Sequence, residues 1–430
     1  MPCLPNTSML TMQKIEHWLF LAFIFCIPFQ ARIVLASRIP FNEWTGIFLW
    51  GTDIIFALLI ISNFQPRRFG RGPDFTSGFQ ISKKDWLLIL FLAIAALSIF
   101  QAQLVPVAIY RFIKLFEYVL VFFYFRHRAK EIASRSLIVA MWVVSCAVQA
   151  SIGILQIIFQ RNFGLWFLGE SLLDVNAHGV AVVAVEAHKF LRAYGTTPHP
   201  NVLALLLMIG LWGALWLYTV YPDRRTKIGI LVAYAIILFA FLLTFSRTVI
   251  VAWILATLAM VVIVSFRKEW KNIVYPLTVT MLTVLLFLAL FWPQVHSRLR
   301  ISADDEAISQ RLFYMEIGTA SARQNLLRGI GIGQFVPHFM QTLRHYPAFM
   351  YQPVHNAYLL ILDELGLLGL LFFFGFLASL FWRSVMKNPF LVAGFAALLF
   401  LGLFDHYFWT LQQGGLVFWG LLGFLASDTM

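Results

Sequence analysis

The sequence predicts an all-α polytopic membrane protein with about twelve transmembrane helices and a large helical loop outside the bilayer. Three observations carry this. Apolar residues make up 60% of the 430 positions and charged residues only 12%. Apolar runs near the ~20 residues that a helix needs to span a bilayer recur from end to end. The Lys and Arg residues behind the formal net charge of +12 gather in short segments between those runs, as the positive-inside rule expects of cytoplasmic loops. In lipid every backbone polar group must be satisfied internally, which selects helices, and the alternating strands of a β-barrel are not visible. The basic residues build no aromatic-interleaved patch, so nucleic acid is not among the partners. Cys26 and Cys146 fall in apolar runs and Cys3 lies at the amino end, which implies neither a disulfide framework nor a zinc site.

In chain order, the first run, Trp18 to Ala36, is read as a retained helix despite Pro28, although Val34-Leu35-Ala36 resembles a signal-peptidase site. The second span, Trp44 to Asn63, leads to Arg67, Arg68, Arg71, Lys83 and Lys84, a cytoplasmic signature. Spans three (Trp86 to Ala102) and four (Leu104 to Phe125) are almost contiguous and exit into Arg126, Arg128, Lys130 and Arg135. Span five, Ser136 to Phe159, opens onto a segment of mixed polarity that closes on His199-Pro200-Asn201, where span six begins. After Arg224, Arg225 and Lys227, the stretch from Ile228 to Phe266 is nearly twice a single span, so two helices should meet at an outer turn, Thr244-Phe245-Ser246-Arg247-Thr248. Arg267, Lys268 and Lys271 mark the inside again, and span nine (Ile273 to Trp292) leads to the longest polar interruption, residues 293–355. Span ten (Asn356 to Phe381) returns to Arg383 and Lys387, and two last spans flank a short loop, Asp405 to Gly415, that has no Lys or Arg. Both termini then face the cytoplasm, both long non-membrane segments (about 160–199 and 293–355) face outward, and residues 1–430 form one polytopic domain. No internal repeat of the kind that marks many transporters is visible.

Several ionisable residues stand out against this background. A guanidinium at the centre of a membrane helix costs about 2.5–3.5 kcal/mol on insertion scales, so Arg247 either snorkels to the interface or clamps an anion. His355 at a helix entrance either accompanies Asn356 as a cap or accepts a proton near neutral pH. Arg311 lies early in a helix expected within the outer loop. Asp304-Asp305-Glu306 is either a metal-binding cluster or an acidic start to that helix. Arg111, Lys114 and Glu117 follow at i, i+3 and i+6 on span four, Asp53 lies in span two, and Asp363-Glu364 lie two turns into span ten, each a pairing or a substrate contact. Gly329, Gly331 and Gly333 follow no strand and read as a tight loop, not a phosphate cradle.

The pieces GTTPHPN, FSRTVIV, SQRLFYMEIG, RGIGIGQF and HNAYLLILDELGLLG, from about Gly195 to Phe376, resemble the O-antigen ligase and polymerase superfamily of bacterial envelope glycosyltransferases. The residues before the glycine loop, Asn325-Leu326-Leu327-Arg328, depart from the proline common in relatives. The resemblance implies a GT-C type fold and inverting transfer of a glycan from undecaprenyl diphosphate to an acceptor hydroxyl, lipid A-core or related, at the outer face of the cytoplasmic membrane. It implies no cofactor and no metal. His355 would be the base, and Arg247 and Arg311 would stabilise the departing diphosphate. The candidate substrate-binding residues are Arg111 and Lys114, from their depth in span four, with His199 and Asn356. A repeat-unit polymerase, a protein O-oligosaccharyltransferase and, from another class, a lipid-linked glycan flippase remain as alternatives.

Overall fold

The computed structural model describes residues 7–37, 41–63, 85–266, 273–300, 306–384 and 389–427. The basic residues 67, 68, 71, 83, 84, 267, 268, 271 and 387, and Asp304 and Asp305, lie outside these, as do the side chains of Glu306 and Arg383. The chain is mostly helical. Its elements run α1 (Thr7–Cys26), β1 (Arg32–Ala36), β2 (Ile47–Trp50), α2 (Gly51–Asn63), α3 (Trp86–Leu97), α4 (Val105–His127), α5 (Ala129–Ile132) and α6 (Arg135–Phe159). After these come β3 (Val182–Val185), β4 (His188–Leu191), α7 (Pro200–Val220), α8 (Arg224–Leu243), α9 (Arg247–Phe266) and α10 (Val274–Leu299). The last part holds α11 (Glu306–Gln324), α12 (Phe335–Thr342), α13 (Ala357–Ser384), α14 (Pro389–Leu401), α15 (Tyr407–Thr410) and α16 (Gln412–Ser427). Among the described residues, α6, α7, α8, α10 and α13 are long and apolar enough to cross a membrane, and α2, α3, α9 and α14 include shorter apolar helices. This is a membrane protein.

Three boundaries differ from the expectation. The first run is helical only to Cys26, because Pro28 cannot continue the ladder, and Arg32–Ala36 is a strand. The second is helical only from Gly51, after β2. The large loop begins later than Pro293, since α10 carries through that proline to Leu299 and absorbs it in non-helical backbone at Phe291.

Contacts divide the chain into two compact units. The first comprises Met1–Arg32, Trp50–Phe75 and Arg128–Arg300. Within it α6, α7 and α8 pack on one another, and α7 is so enclosed that Leu203, Ala204, Leu206, Leu207 and Met208 are fully buried. The segment expected to face outward before α7 folds as a hairpin, β3 antiparallel to β4 with Val182 opposite Leu191, and β3 also packs against α10.

The second unit comprises Ile33–Leu49, Thr76–His127 and Ile301–Met430. Here α4 lies along α16 and α3 along α13, with Phe91 and Phe373 in ring contact at 5.4 Å. Arg126 at the end of α4 donates to Asp85 before α3 at 2.6 Å, so both charges are buried as a pair. The helices α11 and α12 also pack on α13.

The tenth expected span is not continuous. Gly366 sits at φ 73°, ψ −178° inside α13, a conformation open to glycine, and breaks the ladder there. The glycine-rich loop takes up the freed backbone groups: Ile330 N donates to Asp363 O, Gly331 N to Glu364 O, and Leu367 N to Leu326 O. Gly329, Gly331 and Gly333 all have positive φ, and a Cβ on Gly329 would stand 2.4 Å from Glu364 O. The glycine spacing therefore serves a backbone splice. Gly329→Ala is expected to destabilise the fold by at least the roughly 1–2 kcal/mol of a left-handed non-glycine residue, seen as a lower unfolding temperature in detergent.

Candidate active site

The turn into α13 is over-determined by its sequence, Pro353-Val354-His355-Asn356. Val354 is 1% exposed in an aromatic core with Tyr314, Phe335, Phe339 and Tyr351, which anchors the residue before His355. Asn356 caps the helix after it, its Oδ1 accepting from the amides of Tyr358 and Leu359, both at 3.0 Å. Ala357 N donates to Gly402 O at 2.8 Å, which fixes the start of α13 against the connection from α14 to α15.

That connection carries Asp405 and His406, two residues that sequence reasoning did not single out. His355 Nδ1 lies 3.6 Å from Asp405 Oδ1, a close electrostatic contact but too long for a hydrogen bond. The nitrogen is buried and has no hydrogen-bond partner, while the His355 side chain as a whole is 23% exposed. His406 packs its ring 5.2 Å from that of His355 and is almost fully buried, and Tyr314 stands edge-on to His355 at 5.9 Å.

Burial alone would raise the Asp405 carboxyl, but the neighbouring His355, then His406 and Arg311, outweigh it and hold the group well below the usual carboxylate range. Asp405 is therefore an anion at neutral pH. Burial drives His406 the other way: opposed by the Asp405 charge, it still pushes the imidazole down to about 3, so His406 is neutral. Tyr314, raised to about 12 by burial, keeps its hydroxyl proton and donates to Met350 O. The result is a partly exposed imidazole backed by a buried carboxylate, with the Arg311 charge within reach of that carboxylate.

Arg111 and Lys114 line a small cleft in the same unit, together with Trp44, Tyr118, Glu364 and Trp409. Neither cation is bare. Arg111 donates to Thr410 O at 2.8 Å and Trp44 O at 3.4 Å, and Lys114 pairs with Glu117 one turn on. Glu364 accepts from Trp409 Nε1 at 2.8 Å. Asp53, in the first unit, accepts from Trp50 N and caps the start of α2.

The remaining expected site residues, Arg247 and His199, belong to the first unit. The turn between α8 and α9 falls where the sequence put it, with Phe245 at φ 48° and Arg247 as the first residue of α9. Arg247 is half-buried, and its Nη1 donates to Arg298 O at 3.4 Å. Buried Arg192 supports the turn, donating from Nε to Thr244 O at 2.6 Å and from Nη2 to Asn201 Oδ1 at 2.8 Å. His199 is the N-cap of α7, Nδ1 accepting from Asn201 N at 3.1 Å. Guanidinium groups and a helix N-terminus in one neighbourhood favour an anion.

Residues 231–374 match the family described as O-antigen ligase, a stretch that holds Arg247, Arg311 and His355. The superfamily that the motifs resemble is thus supported independently over that stretch. No match was found among curated proteins.

Proposed function

We propose that this chain, whose residues 231–374 match the O-antigen ligase family, is an inverting glycosyltransferase that moves a glycan from undecaprenyl diphosphate to an acceptor hydroxyl. The observation that carries the reading is His355 held against the buried Asp405 at the start of α13, inside the matched stretch. With Nδ1 turned to Asp405, the imidazole offers Nε2 to the acceptor. The acceptor oxygen attacks the anomeric carbon and passes its proton to His355, while the bond from that carbon to the diphosphate oxygen breaks. Asp405 favours the tautomer with the proton on Nδ1 and then the imidazolium that forms.

A diphosphate leaves without an acid catalyst, so the second task is to stabilise its charge. Arg311 and Arg247 take that role as planar, bidentate donors. Arg111 and Lys114, in a cleft walled by indole and phenol rings, would take sugar or phosphate groups of substrate, as would His199, the N-cap of α7, and Asn356, which caps α13 beside His355. We read the chain as a twelve-span, GT-C type protein of the cytoplasmic membrane, with the segment from the end of α10 at Leu299 to His355 outside and the lipid-linked donor entering from the bilayer.

Incubating the purified protein with a defined polyprenyl-diphosphate glycan and each acceptor type, with mass spectrometry of products, tests the reading. Transfer to lipid A-core is the expected result. Chain extension of the lipid-linked glycan would make it a polymerase, a glycosylated protein an oligosaccharyltransferase, and no transfer with glycan translocated a flippase. Because the arginines carry the charge, transfer is expected to persist in EDTA; restoration by Mg²⁺ or Mn²⁺ of an activity lost in EDTA would contradict the mechanism.

A further inference from the structure

Between α13 and α15, three Lewis-basic atoms of the second unit converge: one each from His355, Asp405 and His406, all within 4.8 Å of one another. His355 Nδ1 is 3.6 Å and His406 Nε2 3.8 Å from the same carboxylate oxygen, Asp405 Oδ1. The surroundings of His406 suit the tautomer with its proton on Nδ1. With the Thr410 Oγ1 hydrogen given to His406 O at 3.2 Å, the hydroxyl oxygen is free to accept from His406 Nδ1, 2.5 Å away. The proton of the neutral imidazole is then on Nδ1, and Nε2 presents a lone pair to an anionic oxygen. His355 Nδ1, buried and without a hydrogen bond, completes the set once its proton sits on Nε2.

We propose that His355 Nδ1, Asp405 Oδ1 and His406 Nε2 bind a divalent transition-metal ion of the zinc kind, and that the bound ion blocks transfer. Two imidazoles, one carboxylate and an open fourth position form a borderline donor set suited to Zn²⁺ or Co²⁺. Bonds of about 2.0–2.2 Å put tetrahedral ligand atoms roughly 3.3–3.6 Å apart, so the two contacts to Asp405 Oδ1 need to contract only slightly, while the two nitrogens, within 4.8 Å of each other, would close further. Mg²⁺ and Ca²⁺ prefer six or more oxygens, and the nearby charges of Arg311 and Arg111 oppose a cation held by electrostatics alone. Binding through Nδ1 leaves the His355 proton on Nε2, which removes the base. The inhibitory half of this inference rests on His355 being that base; the binding half does not.

The test uses the full chain in detergent, stripped with EDTA and titrated with Co²⁺ and then Zn²⁺. One Co²⁺ per chain with a tetrahedral absorption band, displaced by Zn²⁺ and not by Mg²⁺, is expected, with a higher unfolding temperature of the wild-type protein. Asp405→Asn and His406→Gln, each close in size to the native residue, are expected to lose the band. The absence of saturable one-to-one binding to the wild type, or an unchanged band in both variants, would overturn the site. Saturating Zn²⁺ is expected to slow transfer by about 10²-fold or more, as loss of a general base does, and EDTA to reverse it. One-to-one binding with undiminished transfer would leave the metal site standing and refute His355 as base.

Discussion

His355→Ala is expected to lower turnover by about 10²–10⁴-fold while leaving binding of the lipid-linked donor close to wild type. The imidazole is placed to take the acceptor proton, and that proton moves only as the new glycosidic bond forms. The side chain is not part of the anchoring: Val354 fills the aromatic core and Asn356 caps α13, so the turn survives truncation of the residue between them. Asp405→Asn keeps the shape and removes the charge that favours the imidazolium. Its effect is expected on turnover and not on donor affinity, and to be smaller than that of His355→Ala. A loss of donor affinity in either variant would show a structural role in its place.

Arg247→Ala is expected to weaken donor binding as well as turnover, because the proposed partner of this guanidinium is the diphosphate in both ground and transition states. Arg247→Lys should restore only part of the loss, since an ammonium keeps the charge but not the planar fork. The measurement is donor affinity on detergent-solubilised protein alongside single-turnover transfer. Unchanged affinity and rate in Arg247→Ala would reduce the residue to a helix-start arginine that donates to Arg298 O.

Much of the helical plan was legible because membrane helices are encoded locally, in the length and polarity of single runs. The turn between α8 and α9 was readable from four polar residues around Phe245 in an apolar stretch, and α6 and α7 closely match their expected spans. The breaks were harder. Gly366 lies in Leu365-Gly366-Leu367, an apolar setting that fits an unbroken membrane helix equally well, and its left-handed conformation depends on the glycine loop some forty residues earlier. Pro293 suggested an end to span nine, yet one proline can be absorbed by a local kink. On the site, His355 and Arg311 were visible as polar residues beside a predicted helix. Asp405 and His406 were not, because their importance is a matter of distance to a residue fifty positions away. The signal was an Asp-His pair in a short loop free of Lys and Arg between the last two expected spans, which the charge bias alone made unremarked.

The central claim is that His355 removes the acceptor proton, and single-turnover transfer by His355→Ala with and without added imidazole tests it most directly. The account predicts a rate reduced by about 10²-fold or more that free imidazole partly restores, with donor occupancy unchanged. A variant that transfers at near the wild-type rate without imidazole would contradict it.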